Sequence, residues 1–390
     1  MDFDTRINRF GSHCQKWDMM EPMFGVPAQG GIAMWVADMD FHPPACVQRA
    51  LEAMLAHGVY GYFGDDAAYL DAVRWWMKTR HGWEVARDQI FTTHGLVNGV
   101  SMCIDAYSKP GDSIVLTTPV YHAFARVIKA AGRQVLECPL VLRDGRQEMD
   151  FAAWDAQMAG RETMMILCSP HNPGGRVWTP SELRGVADFC KRHNLLLVSD
   201  EIHHDIVMPG QKHSVMAVAA PDIADRLVML TATTKTFNIA GAHIGNVIIA
   251  DPKLREKFAG VMMKLGISPN SFGMHMVTAA YSPEGAVWVD ALCRYIDGNR
   301  REFDVGVNAI PGVQSLALEA TYLAWVDFSG TGMAPDEIAT RVEKVAQIAI
   351  NRGASFGRGG ESFLRFNLAM PRTLITEAAK RLHAAFGDLQ

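Results

Sequence analysis

The apolar residues of this chain fall into two rhythms. Between residues 85 and 250 or so, short unbroken apolar runs alternate with stretches whose apolar positions recur every three or four residues. The runs are Ser113-Ile114-Val115-Leu116, Met164-Met165-Ile166-Leu167, Leu195-Leu196-Leu197-Val198, Leu227-Val228-Met229-Leu230 and Val247-Ile248-Ile249. A strand that is apolar at consecutive positions suits a sheet covered on both faces, as mainly parallel sheets are. The intervening stretches carry helix signals. Thr179-Pro180-Ser181-Glu182 has the spacing of a capping box, Leu183, Val186, Ala187 and Cys190 then share one side, and His193-Asn194 closes the segment. The alternation predicts an α/β domain.

The last hundred residues follow the second rhythm. Residues 291–309 read as a helix. Tyr322-Leu323-Ala324-Trp325-Val326-Asp327 reads as a strand with one exposed face, and Phe363-Leu364-Arg365-Phe366-Asn367 as another. Helices near 335–351 and 372–386 complete a smaller α+β unit. The first forty-odd residues carry few regular signals and are expected to pack against that unit and line the cleft. The expected division is an N-terminal segment (1–45), a large α/β domain (46–288) and a small C-terminal α+β domain (289–390).

At 390 residues the chain exceeds one typical core, in keeping with that division. A net charge of -5 gives no reason to expect nucleic acid or an anionic membrane as partner. No apolar stretch reaches the ~18 residues of a transmembrane helix, and Met1-Asp2-Phe3-Asp4-Thr5-Arg6 lacks the layout of a signal peptide. The seven cysteines are scattered and include no Cys-x-x-Cys pair, which favours reduced thiols in a cytoplasmic protein.

The polar residues that stand out lie just after the predicted strands, where open α/β sheets place ligands. Lys235 follows Leu227–Leu230 in Thr231-Ala232-Thr233-Thr234-Lys235, and a desolvated lysine amine is a nucleophile toward an aldehyde. Asp200 ends the next run, in Ser199-Asp200-Glu201-Ile202-His203. Ser169-Pro170-His171-Asn172-Pro173-Gly174-Gly175 follows another. Thr92-Thr93-His94-Gly95-Leu96 enters a helix whose free N–H groups suit a phosphate, and Arg365 is the lone charge in an apolar strand. Taken singly, each has a plain structural explanation: a snorkelling lysine, a turn, a helix cap, a salt bridge. Jointly they supply what pyridoxal phosphate chemistry on amino acids requires: an amine, an acid for the ring nitrogen, a phosphate cup and an arginine fork for a carboxylate. His203-His204-Asp205 is not expected to be a metal site, because adjacent histidines diverge and no further ligand set stands nearby in sequence.

With Met34-Trp35-Val36-Ala37-Asp38-Met39-Asp40-Phe41, Gly58-Val59-Tyr60-Gly61-Tyr62, Asp200-Glu201-Ile202-His203 and Lys235-Thr236-Phe237-Asn238-Ile239-Ala240-Gly241, the whole chain resembles the fold-type I pyridoxal-phosphate enzymes of the class I/II aminotransferase superfamily. Within it, the chain is similar to the cystathionine β-lyase (C–S lyase) subgroup. The resemblance implies that Lys235 binds the cofactor aldehyde and moves protons, and that Asp200 pairs with the ring nitrogen. It places Tyr121 stacked on the ring, Asn172 on the phenolic oxygen with His203 nearby, and the phosphate on Gly95, Leu96 and Thr234. Arg365 would grip the substrate carboxylate, with Asn172 and Asp38 on the same side. Tyr62 would reach the neighbouring subunit's phosphate, so a homodimer with shared active sites is implied.

Two positions depart from the aminotransferase pattern. His243 stands where an arginine usually meets the phosphate, and Ala232 where serine is common, leaving Thr231 or Thr233 as substitutes. The implied activity is α,β-elimination from L-cystathionine or a related L-cysteine S-conjugate, giving a thiol, pyruvate and ammonia. Transamination shares its early steps and is the alternative. A cofactor-binding regulator is disfavoured, since no winged helix fits ahead of Met34-Trp35.

Overall fold

A computed structural model describes residues 1–389. Its main sheet has seven strands: β1 (Ile90–Thr93), β2 (Ser113–Leu116), β3 (Gln134–Glu137), β4 (Glu162–Cys168), β5 (Leu196–Asp200), β6 (Leu227–Thr231) and β7 (Gly245–Ile248). Their order across the sheet is β1-β7-β6-β5-β4-β2-β3. β3, β2, β4, β5 and β6 pair in parallel, while β7 runs antiparallel to both neighbours. One core, with Leu167, Leu197 and Met229, covers one face; a second, with Ile166, Val198 and Leu230, covers the other. That double cover is why these strands are apolar at consecutive positions.

Helices close both faces. The one predicted from Thr179 is Pro180–Arg192: the Thr179 hydroxyl accepts from the Glu182 N–H, the Glu182 carboxylate accepts from the Thr179 N–H at 2.8 Å, and proline stands in the first turn. Its buried stripe of Leu183, Val186, Ala187, Phe189 and Cys190 faces the sheet. Each large side chain there contributes roughly 1.5–3 kcal/mol, more than the ~1 kcal/mol of the cap.

The C-terminal sheet is antiparallel, with β8 (Gln314–Ser315), β9 (Leu323–Asp327), β10 (Asn351–Arg352) and β11 (Phe363–Asn367) in the order β8-β9-β11-β10. β9 differs from expectation, for Leu323, Ala324, Trp325 and Val326 are all buried. Ala324 and Val326 point into the small core, while Trp325 stacks on Phe363 on the other side. The helix expected near 335–351 stops early: Pro335–Thr340 passes into a wider turn and then into strand residues Ile348–Ala349, which pair in parallel with Ile32–Ala33. The N-terminal segment is divided between cores: Ile32 and Met34 join the small one, Phe3, Met39 and Phe41 the large one.

The helix expected at 291–309 is longer, running from Pro283 to Asn308. Trp288, Val289, Leu292 and Ile296 pack in the large core, and Phe303 and Val307 in the small one. The boundary read at 288/289 therefore falls inside a continuous helix that belongs to both units.

Candidate active site

Three adjacent parallel strands deliver the first group of site residues. Asp200 is the last residue of β5, in register between Cys168 of β4 and Leu230 of β6. Asn172 lies four residues past the end of β4, and Lys235 in the helical turn Thr233–Thr236 after β6. From the opposite wall, Arg365 projects from β11 beside Asn351 of β10. The cleft between the two sheets thus gathers residues that are as much as 193 positions apart in the chain.

Their charges are unusual for buried groups. Asp200 is 4% exposed; one carboxylate oxygen accepts from the Ile202 N–H at 3.1 Å, and no cation among the described residues pairs with it. Burial therefore pushes its carboxyl up to about 7. Arg365 is 3% exposed and, among the described residues, donates only to neutral oxygens: Asn172 Oδ1 at 2.9 Å, the Trp35 carbonyl at 3.0 Å and Asn351 Oδ1 at 2.6 Å. Its Nε has no hydrogen-bond partner among them, its guanidinium lies 4.9 Å from the Phe356 ring centroid, and burial lowers it to about 10. A buried guanidinium without an anion has its desolvation cost unanswered, so the arrangement calls for a carboxylate from outside the chain.

Lys235 is close enough to feel the charge of both. Its amine donates to the Ala37 carbonyl at 2.6 Å, and burial, reinforced by Arg365, brings it down to about 8. The Ala37 carbonyl also accepts from the Tyr322 hydroxyl at 3.0 Å. His203 is buried, its ring edge-to-face on Tyr322 with centroids 5.9 Å apart and its Nδ1 without a partner among the described residues. Burial together with Lys235 and Arg365 holds that imidazole well below its ordinary range, hence neutral. Tyr121 lies in the turn after β2 against His122 and Phe124, and burial raises its phenol.

The helix start expected to receive a phosphate presents backbone rather than side chains. Gly95 caps the helix Leu96–Tyr107 with φ 84°, a left-handed conformation that favours glycine. No side chain caps that helix, and a Cβ at Gly95 would meet nothing within 4 Å. The first N–H groups are therefore open to an anion. Thr234 is buried in the turn that carries Lys235, while the hydroxyls of Thr231 and Thr233 are buried without hydrogen-bond partners among the described residues.

Two expected site residues stand apart from this group. Tyr62 is fully exposed, in the segment between two helices that includes the exposed Val59 and Tyr60. Asp38 is near Lys235 but already engaged: Arg9 grips both its oxygens, at 2.8 and 3.0 Å, and Lys16 lies 3.7 Å away. Sequence reasoning missed this lattice of Arg9, Lys16, Asp38 and Asp40, whose members come from a stretch without helical or strand rhythm. It missed Asn238 as well, which in a left-handed conformation binds the backbone of Met39 and Phe41. The two signals available were a lysine in a tryptophan-flanked N-terminal stretch and an asparagine just beyond Lys235. His204 and Asp205, read as lacking a ligand set, are joined by His81 from another helix.

The profile of the family described as Aminotransferase class I and II matches residues 36–382. The chain belongs to that family. Among family relatives it is 37% identical to "Cystathionine beta-lyase PatB" of Bacillus subtilis, over 99% of this chain and 100% of that one. It is 31% identical to "Protein MalY" of Escherichia coli, over 98% and 97%. Among solved structures it superposes on cystalysin from Treponema denticola, a crystal structure containing a pyridoxal 5'-phosphate cofactor, with a TM-score of 0.95, 35% identity and coverage of 100% and 99%.

Proposed function

We propose that this family member is a pyridoxal-phosphate-dependent carbon–sulfur β-lyase acting on L-cystathionine or related L-cysteine S-conjugates. The observation that carries the reading is the pair of buried groups without an ion-pair partner, Asp200 and Arg365, in one cleft with a buried lysine brought down to about 8. The residues fit the cofactor. A pyridinium nitrogen would answer Asp200, a phosphate would occupy the open end of the helix Leu96–Tyr107, and the orphaned hydroxyls of Thr231 and Thr233 offer it donors. When bound, pyridoxal phosphate supplies an aldehyde for the amine and an electron sink for charge at the substrate Cα.

The chain's own groups do the rest. Arg365, already oriented by Asn172, Trp35 and Asn351, binds the α-carboxylate as a planar fork. The Lys235 amine, half deprotonated near pH 8, takes the Cα proton; at the ordinary lysine value it would be almost wholly charged. Asp200 holds the proton on the ring nitrogen. His203, neutral, sits beside Lys235 without competing for that proton. The Cβ–S electron pair leaves with the thiol. Arg9 and Lys16 are neutralised by Asp38 and Asp40, which leaves the buried Arg365 guanidinium for the α-carboxylate, and the S-substituent should be neutral. We also propose a homodimer, a reading supported by the exposed apolar side chains of Val59, Tyr60 and Tyr62, in which Tyr62 would contribute to the cofactor phosphate of a second copy.

The deciding assay supplies L-cystathionine or S-methyl-L-cysteine without any 2-oxo acid and measures pyruvate and free thiol. Release of both supports elimination. Product that forms only when an oxo acid acceptor is added would reassign the protein as an aminotransferase.

A further inference from the structure

A second set of ligating side chains lies outside the cleft just described. His81 ends the helix Ala67–His81, and His204 and Asp205 stand in the turn after β5. His81 Nε2 is 2.9 Å from Asp205 Oδ1, and His204 Nε2 is 3.1 Å from Asp205 Oδ2. One ligand atom from each of the three lies within 4.8 Å of the others. The cluster forms part of the wall of a cavity of about 390 Å³ that His213 and Cys293 also line.

The histidine in the middle is the telling one. His204 is 1% exposed, its Nδ1 has no hydrogen-bond partner among the described residues, and its Nε2 has only the 3.1 Å contact to Asp205 Oδ2. A buried imidazole left so is costly unless something else takes its lone pair. Asp205 is meanwhile fixed by groups behind it: Oδ1 accepts from Trp76 Nε1 and Oδ2 from the Thr236 hydroxyl, both at 2.9 Å. Metal-ligating carboxylates are commonly held in this way.

We propose that His81, His204 and Asp205 bind a divalent transition ion of the zinc type, with its fourth position facing the cavity. Two imidazoles and a carboxylate suit such ions, whereas calcium and magnesium take oxygen ligands. In a tetrahedral site with bonds of ~2.1 Å the ligand atoms stand roughly 3.4 Å apart, so the contacts to the two oxygens of Asp205 must open by a few tenths of an ångström and the wider separations, up to 4.8 Å, must close around the ion. The bound ion would tie the helix Ala67–His81 to the turn after β5. Through Asp205 it would also brace Thr236, the residue next to Lys235. This site does not depend on the proposed reaction.

Full-length protein, stripped with a chelator and dialysed, would be titrated with cobalt(II) chloride and, by calorimetry, with zinc chloride. The expected result is one ion per chain, with the visible bands of four-coordinate cobalt on nitrogen and oxygen, displaced by zinc, and a rise in melting temperature with zinc. His204→Asn and His81→Asn should each abolish saturable binding while keeping the far-ultraviolet dichroism of the parent. If His204→Asn fails to fold, the more peripheral His81→Asn decides alone. His13→Asn, at an exposed histidine, should bind normally. The proposal is overturned by absence of saturable uptake, by uptake that survives both substitutions, by thiolate-to-cobalt bands, or by loss of uptake in Lys235→Ala.

Discussion

Replacing Asp200 by asparagine should make the cofactor-free chain more stable at alkaline pH while disabling it. The folded-state carboxyl titrates near 7 against 3.8 for the free group, because burial penalises its charge and no paired cation offsets the penalty. Between those two values the folded chain holds a proton that the unfolded chain has released. Stability therefore falls as pH rises through that window. At ~1.4 kcal/mol per pH unit across that window, roughly 4 kcal/mol is lost by pH 8. Asparagine carries no such penalty, but its amide hydrogens would find no acceptor, at a cost of about 1–3 kcal/mol. The net expectation is a variant roughly 1–3 kcal/mol more stable than the parent at pH 8 and no more stable at pH 4.5. Urea unfolding of both cofactor-free proteins across that range, followed by fluorescence, measures the difference. A stability gap that does not change with pH, or that widens toward acid, would refute the argument that Asp200 is an uncompensated buried carboxyl. The same substitution should cost turnover, because a neutral amide cannot hold a proton on a ring nitrogen.

Three further outcomes follow from the same geometry. Lys235→Ala should lower kcat by about 10²–10⁴-fold or more, with the fold retained by circular dichroism, since proton transfer at Cα loses its base. Arg365→Lys keeps the charge but not the planar fork, so KM for the amino-acid substrate should rise at least about tenfold while the cofactor absorbance is unchanged. Tyr62→Ala should weaken cofactor affinity by equilibrium dialysis. Mixing it with Lys235→Ala should recover activity through hybrid dimers; no recovery after subunit exchange would argue against a shared site.

The strands that could be read in the sequence are those buried on both faces: Ser113–Leu116, Glu162–Cys168, Leu196–Asp200, Leu227–Thr231 and Gly245–Ile248 all contain an unbroken apolar run. The two that could not, Ile90–Thr93 and Gln134–Glu137, form the two edges of the sheet, where partial exposure permits polar residues and erases the run. Lys235, Asp200, Asn172 and Arg365 were legible for a related reason. A polar residue directly behind or within an apolar strand is conspicuous, and parallel strands collect such residues at one end. The joining of Arg9 to Asp38, of Lys16 to Asp40, and of His81 to Asp205 left no local trace. Those pairs are made by tertiary approach between segments 29, 24 and 124 residues apart. Asp38 illustrates the consequence: its motif pointed to substrate, while its side chain is committed to two cations from the N-terminal segment.

The helix Pro283–Asn308 has a practical corollary for anyone wishing to dissect the molecule. Its early turns are anchored by Trp288 and Leu292 and its late turns by Phe303 and Val307, in different cores. A truncation ending at residue 288 would strip the first core of Leu292 and Ile296, and a piece starting at 289 would carry those same apolar side chains bare to water. Neither half should be expressible as a folded unit.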